Sequence, residues 1–114
     1  MKIFISSLLI LLISSSQAST CVPDEVAIDD KTYKVCRSGK YGFLSADCKS
    51  VEACFPVKGI DVVLLPNQNP AFTLCEKIKG EGVSGKPKSL KTIESFCLLK
   101  GKIVDMNQLM KSRH

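Results

Sequence analysis

The sequence predicts a small disulfide-stapled α+β domain, with short antiparallel strands, one clear helix at about residues 70–79 and a short C-terminal helix. Three observations carry this prediction. The chain has 114 residues, enough for one small domain. Its six cysteines all follow an apolar N-terminal segment, and turn residues separate short apolar runs along the chain. The charged fraction, 24%, is ordinary for a folded protein and argues against wholesale disorder.

The N-terminus has the pattern of a secretory signal peptide over residues 1–18. An apolar run at residues 3–13 is followed by small residues one and three positions before a cut between Ala18 and Ser19. The run is shorter than the about 20 apolar residues of a membrane-spanning helix. We therefore expect signal cleavage, no stable membrane span, and a periplasmic or secreted protein.

The cysteines favour disulfides over metal binding. An even count in a short exported chain is typical of a disulfide framework. Metal binding is the alternative, but it needs close ligand pairs that converge on one ion, with histidine nearby. The closest cysteines, Cys48 and Cys54, have five residues between them, and the only histidine is the terminal His114. We expect no metal and no cofactor. The disulfide candidates are Cys21, Cys36, Cys48, Cys54, Cys75 and Cys97.

Residues 19–68 are predicted to form a Cys-rich β-strand region. Short apolar and β-branched runs alternate there with polar turns, including Asp29-Asp30 between the first two strands. The run IDVVLL at 60–65 suits a more central strand because it is mostly apolar. The predicted strands are, in order, residues 26–28, 32–35, 41–44 and 60–65, with one helical turn at 50–54.

Residues 69–114 are predicted to form a helix-hairpin-helix region. Asn69 can cap a helix, and Pro70 suits its first position. An apolar stripe of Phe72, Leu74, Cys75 and Ile78 should face inward, and Gly80 can end the helix in a left-handed turn. We expect a Gly- and Lys-rich surface loop (Gly82 to Lys88) to follow. After it we expect strands at 96–99 and 102–104 around the turn Lys100-Gly101, and a last helix capped by Asp105.

The motifs of this second region resemble a known bacterial family. Asn69-Pro70-Ala71 opens a helix that carries Cys75, glycines follow at positions 80 and 82, and Cys97 precedes a short turn. In this order they resemble, over about residues 69–111, the small bacterial domain of unknown function number 333, often labelled a haemolysin. The chain departs from that family's pattern at Leu74, at Met106-Asn107 and at Lys100-Gly101.

The resemblance implies an exported protein in which Cys75 and Cys97 form a bridge and Asn69 caps the helix. For the other four cysteines we expect Cys48 and Cys54 to pair with Cys21 or Cys36, because all four lie in the N-terminal region. The sequence alone does not choose among these connectivities.

Charge is unevenly distributed along the mature chain. Residues 19–74 hold six basic and seven acidic side chains, whereas residues 75–114 hold nine and four. The basic C-terminal half could contact anionic surfaces, although solubility alone explains most of the lysine excess. We expect no nucleic-acid partner, because the basic half carries few aromatic and arginine side chains that would contact bases.

No catalytic centre is predicted. Serine and cysteine nucleophiles need a nearby base, and His114 stands at a chain terminus. The acid pairs Asp24-Glu25 and Asp29-Asp30 are expected to be solvated turn acids, since neighbours on a strand point to opposite faces. The Gly-rich stretch at 80–88 lacks the spacing of a phosphate loop.

The sequence therefore predicts an exported bacterial envelope or secreted protein that is a binding or interaction module, with an unknown protein or envelope partner. The alternative is a secreted enzyme inhibitor or toxin-like effector. In that case Arg37–Lys40 or Gly82–Lys91 would present a basic loop to a trypsin-like pocket.

Overall fold

The computed structural model describes residues 21–40, 42–63 and 66–114. The predicted signal peptide at 1–18 and its cut between Ala18 and Ser19 lie outside these residues. In chain order the elements are β1 (Val22–Ile28), β2 (Lys31–Ser38), β3 (Gly42–Ser45), α1 (Val51–Cys54), α2 (Pro70–Lys77), β4 (Glu81–Pro87), β5 (Glu94–Leu99), β6 (Lys102–Asp105) and α3 (Met106–Lys111).

The strands form a closed antiparallel barrel, so the predicted α+β fold class is wrong. Around the barrel the order is β1-β2-β3-β6-β5-β4. Two three-stranded meanders, β1 to β3 and β4 to β6, meet along a β3–β6 seam and a β1–β4 seam. None of these helices exceeds eight residues, and the fold is predominantly β. Among the described residues there is no helix with the length and apolar character that a membrane span requires.

Strand β4 occupies the segment that the sequence predicted as a Gly- and Lys-rich loop, and it closes the barrel. It pairs with β1 through Val26 opposite Pro87 and Ala27 opposite Lys86. Glycine, lysine and proline are depleted in strands, which is why propensity favoured a loop. Gly85 is needed for space, because a Cβ atom there would lie 2.7 Å from Val26 Cγ1 and 2.9 Å from Ile28 Cγ1.

The predicted strand at 60–65 does not form at residues 60–63, the part of this range that the structure describes. Residues 60–63 are irregular, and residues 64–65 lie outside the described residues. Ile60 and Val62 pack against the core on the helix side of the barrel, whereas Val63 is 66% exposed. The apolar composition thus belongs to a segment that covers one cluster of the core, not to a strand paired in the sheet.

The core has two clusters, one on each face of β5 and β6. The barrel interior contains Phe43 and Phe96, whose rings pack edge to face with centroids 6.0 Å apart. On strand β5 side chains alternate between the faces, so Phe96 enters the barrel and Cys97 points toward the helices. The interior cluster consists of Val26, Ile28, Val35, Phe43, Phe96 and Ile103; the helix-side cluster includes Val51, Phe55, Val57, Leu74, Val104 and Leu109.

Helix α2 begins where the sequence predicted. Asn69 Oδ1 accepts a hydrogen bond from the Ala71 backbone N–H at 2.9 Å, and Pro70 takes the first helical position. Leu74 and Cys75 are fully buried. Phe72 differs from the prediction, because it is 36% exposed and lies outside both core clusters.

Helix α2 ends through Lys79 and not through Gly80 as predicted. Lys79 has a left-handed φ of 72°, its N–H donates to Glu76 O, and the Gly80 N–H donates to Cys75 O. These two bonds make a Schellman motif, in which glycine is the usual left-handed residue. A side chain in that conformation costs about 1–2 kcal/mol.

Three disulfides join the six cysteines: Cys21 with Cys36, Cys48 with Cys54, and Cys75 with Cys97. The expectation that Cys48 and Cys54 pair with Cys21 or Cys36 is wrong. The β1–β2 register places Cys36 opposite Pro23, two residues from Cys21, so that pair forms across the hairpin. Paired cysteines are consistent with an oxidising extracellular or periplasmic environment.

The bridge between Cys75 and Cys97 connects α2 to β5 and leaves no room beside it. The two Cα atoms are 5.8 Å apart. A Cβ atom at Gly80 would lie 2.7 Å from Cys97 Sγ and 2.9 Å from Cys75 Sγ. Gly80 is therefore required for close approach to the sulfurs, and its backbone is not left-handed.

The β3–β6 seam has one backbone pair, Leu44 opposite Val104, and side chains supply further hydrogen bonds. The Ser45 hydroxyl accepts from the Ile103 N–H at 2.7 Å, and both groups are buried. Across this seam, a side-chain oxygen therefore takes the place of a backbone carbonyl.

Asp105 completes the seam and caps helix α3, as the sequence predicted for the cap. Its carboxylate accepts from the Phe43 N–H at 2.7 Å across the seam. It also accepts from the Gln108 backbone N–H at 3.0 Å and from Gln108 Nε2 at 2.8 Å. A residue that is 5% exposed thus joins β3, β6 and α3.

Replacement of Gly80 by alanine should destabilise the protein by about 1–3 kcal/mol, the usual cost of an overpacked site. The cause is contact of the new methyl group with both sulfurs of the Cys75–Cys97 bridge. Urea unfolding measures this cost, and the same substitution in a Cys75→Ala/Cys97→Ala background should cost less. An equal cost in both backgrounds would show that the bridge is not the cause.

Replacement of Asp105 by alanine should lower the free energy of unfolding by about 2–4 kcal/mol. It removes a helix cap and leaves the buried Phe43 N–H without its acceptor. Asp61→Ala is the matched control, because Asp61 is exposed and contributes its backbone carbonyl to a bond with Lys77. We expect that control to stay within about 0.5 kcal/mol of the parent protein. Equal effects in urea unfolding would contradict the role of Asp105.

Candidate binding site

A cleft of about 500 Å³ lies beside the Cys21–Cys36 bridge, and we call it the β1–β2 cleft. Its size falls within the range of small-ligand sites. Strands β1 and β2 supply most of its lining, and Lys88, which follows β4, closes one side. The lining residues are Cys21, Pro23, Asp24, Glu25, Lys34, Val35, Ala46 and Lys88.

Asp24 lines the β1–β2 cleft and makes several polar contacts there. Its side chain is 5% exposed, so the expectation of a solvated turn acid is wrong for this residue. Its carboxylate accepts from the Ser89 hydroxyl and from the Glu25 N–H, the latter at 2.8 Å. Arg37 Nε lies 3.8 Å from the same carboxylate. Asp24 thus ties the segment after β4 to strand β1.

A backbone hydrogen bond also joins the segment after β4 to strand β1. The Lys88 N–H donates to Glu25 O at 2.8 Å, which extends the β1–β4 seam beyond strand β4. The Cys21–Cys36 bridge links Cys21, another lining residue, to strand β2. A disulfide and hydrogen bonds therefore join the segments that line the cleft.

The charges that line the β1–β2 cleft are balanced. Two acidic side chains, Asp24 and Glu25, and two basic ones, Lys34 and Lys88, line it, and Glu25 stands directly opposite Lys34 in the β1–β2 register. A neighbouring hollow of about 320 Å³ shares Glu25 and Lys88 and extends the surface toward Lys86. A balanced surface of this kind can bind through hydrogen bonds and apolar contacts without needing a strongly charged ligand.

The remaining predicted site residues lie apart from one another. Asp29 and Asp30 are exposed in the β1–β2 turn, and His114 is exposed at the C-terminus. Arg37 is engaged within the protein, because its Nη1 donates to Gly39 O at 3.1 Å. In residues 21–40, 42–63 and 66–114 there is no group of three or more metal-ligating side chains.

The sequence contained one signal that could have revealed the buried Asp24. Along β1, the buried Val26 and Ile28 stand on either side of the exposed Ala27, and Asp24 shares their phase. The alternation therefore places its carboxylate toward the barrel. Its partner Ser89, 65 residues away, carries no comparable signal.

The protein is thus a six-stranded β-barrel with three disulfides and an open surface cleft. Comparison with known proteins returns no match to any family model, curated protein or solved structure.

Proposed function

We propose that the chain is an exported binding module, periplasmic or secreted, that holds a protein or envelope partner in the β1–β2 cleft. The observation that carries the proposal is that the segments lining this cleft are joined by the Cys21–Cys36 disulfide and by the Asp24–Ser89 contact. A preformed site avoids much of the ordering cost of binding. The described residues near the cleft offer no nucleophile paired with a histidine base.

The export part of this proposal is supported by two features. The N-terminal pattern at 1–18 predicts a signal peptide, and the three disulfides need an oxidising compartment. The bacterial envelope or the secreted fraction satisfies both.

Kinship with the haemolysin-labelled domain also remains part of the proposal. The Asn69 cap and the Cys75–Cys97 bridge support it. The family label contributes no activity here, because all but one of the residues that line the β1–β2 cleft precede residue 69.

The Ala46→Trp variant tests the cleft. Ala46 is exposed on the cleft wall, so the indole should fill the space without entering the core. Immobilised mature protein should retain a partner from envelope extracts, and we expect Ala46→Trp to reduce the amount retained by at least about tenfold. Lys111→Trp adds the same side chain outside the cleft and should retain the partner. Equal retention by both variants would exclude the cleft as the binding site.

Inhibition of a trypsin-like enzyme is a second candidate function, supported by the segment between β4 and β5. Ile93 is 71% exposed, and Lys91, two residues before it, is also exposed. Leu90 packs against the barrel-interior cluster, and the Thr92 hydroxyl donates to Glu94 Oε2 at 2.7 Å. These contacts hold an exposed lysine on an ordered segment. In the other candidate segment, Arg37–Lys40, the Arg37 side chain contacts Asp24 and Gly39.

Titration against trypsin tests this second function. If Lys91 enters the protease pocket, the protein should inhibit trypsin, and Lys91→Ala should weaken inhibition by about 100-fold, as for a truncated interface hot spot. Lys111→Ala is the control and should inhibit like the parent. Cleavage after Lys91 without inhibition would identify a substrate and exclude the inhibitor.

A further inference from the structure

A second groove, of about 490 Å³, lies among α1, the end of α2 and the β5–β6 turn. Its floor is apolar, formed by Cys54, Ile78 and Leu99, which belong to or pack against the helix-side cluster. Lys79 and Lys100 stand on its edges, and we call it the lysine groove. It shares no lining residue with the β1–β2 cleft.

Both edge lysines occupy backbone conformations that favour glycine or asparagine. Lys79 has φ of 72° at the end of α2, and Lys100 has φ of 53° in the two-residue turn before Gly101. Asn-Gly is the usual sequence for a turn in which both residues have positive φ. Strained residues of this kind concentrate at functional sites. Here two of them border one groove, and both are lysine.

The charges around the lysine groove are unequally paired. Lys102, also on its lining, hydrogen bonds to Asp47, and this bond lowers the pKa of the Asp47 carboxyl below its ordinary value. Glu52, the acidic side chain among the lining residues, lies 3.8 Å from Lys58, which offsets its charge. By contrast, neither Lys79 nor Lys100 forms an ion pair with any residue that the structure describes.

We propose that the lysine groove docks an acidic segment of a partner protein. One apolar side chain of that segment would pack on Ile78 and Leu99, and carboxylates on either side of it would meet Lys79 and Lys100. This arrangement has the apolar centre and polar rim of a protein interface. The lysines come from two separate turns, so a peptide with a charge at several residues fits them better than an amphiphile with one charged head.

The proposal is tested by amide chemical shifts of the mature protein during titration with three probes. The first is a hexapeptide with two leucines flanked by two glutamates on each side, and the second has lysines in place of the glutamates. The third is decanoate, a single-headed anionic amphiphile. We expect the acidic peptide alone to shift the amides of Ile78, Lys79, Leu99 and Lys100. Its affinity should fall as salt rises from about 0.01 M to about 0.15 M, because screening shortens from about 30 Å to about 8 Å.

The diagnostic variant is Lys79→Asn/Lys100→Asn. Asparagine adopts the left-handed conformation more readily than lysine, so this variant should melt at the same temperature or higher. Its affinity for the acidic peptide should nevertheless fall by about tenfold at low salt, the effect of losing two exposed ion pairs. Lys91→Asn/Lys111→Asn removes the same net charge elsewhere and should bind like the parent.

Each result decides the proposal. Groove shifts with the acidic peptide that are lost in Lys79→Asn/Lys100→Asn and kept in Lys91→Asn/Lys111→Asn support it. Decanoate that shifts these amides while the acidic peptide does not would assign the groove to an amphiphile and overturn it. It is likewise overturned if no probe shifts these amides, if both peptides shift them equally, or if both double variants bind equally. Because the groove and the β1–β2 cleft share no residue, failure here leaves the proposed function of the cleft standing.

Discussion

The barrel depends on side-chain hydrogen bonds at the seam where its two meanders meet. Strands β3 and β6 are short and share one backbone pair, so backbone bonds alone hold them weakly. Asp105 and Ser45 supply oxygen acceptors to backbone N–H groups of the facing strand. Buried N–H groups without acceptors are costly, and a closed barrel removes the exposed strand edges that open sheets must protect. The closure of the barrel and the position of helix α3 therefore rest on the same carboxylate.

Local features of the fold were predictable, and long-range ones were not. The hairpin of β1 and β2, the Asn69 and Asp105 caps and the turn at Lys100-Gly101 depend on residues close in sequence, and the structure contains all of them. Strand β4 was missed because its glycines contradict strand propensity. The contacts that require Gly85 to lack a side chain come from β1, more than 55 residues earlier.

The candidate site, too, depends on long-range contacts that the sequence did not predict. The sequence pointed to six cysteines as disulfide candidates, and the structure pairs all six, yet the sequence placed no cleft. The β1–β2 cleft exists because Asp24 meets Ser89 and because Lys88 bonds to Glu25, and both contacts cross the β1–β4 seam. The lysine groove likewise brings together Lys79 and Lys100, whose proximity follows from the packing of α2 on β5.

The positions of the three bridges have a consequence for the integrity of the chain. Cys21–Cys36 and Cys48–Cys54 lie wholly before residue 55, and Cys75–Cys97 lies wholly after residue 74. A single peptide bond cut between them would leave two fragments with no covalent link, each of which keeps its own disulfides. Such a nicked molecule would persist only as a complex of the two meanders. Its dissociation constant would then report directly how strongly the seams and the helix-side core hold the barrel closed.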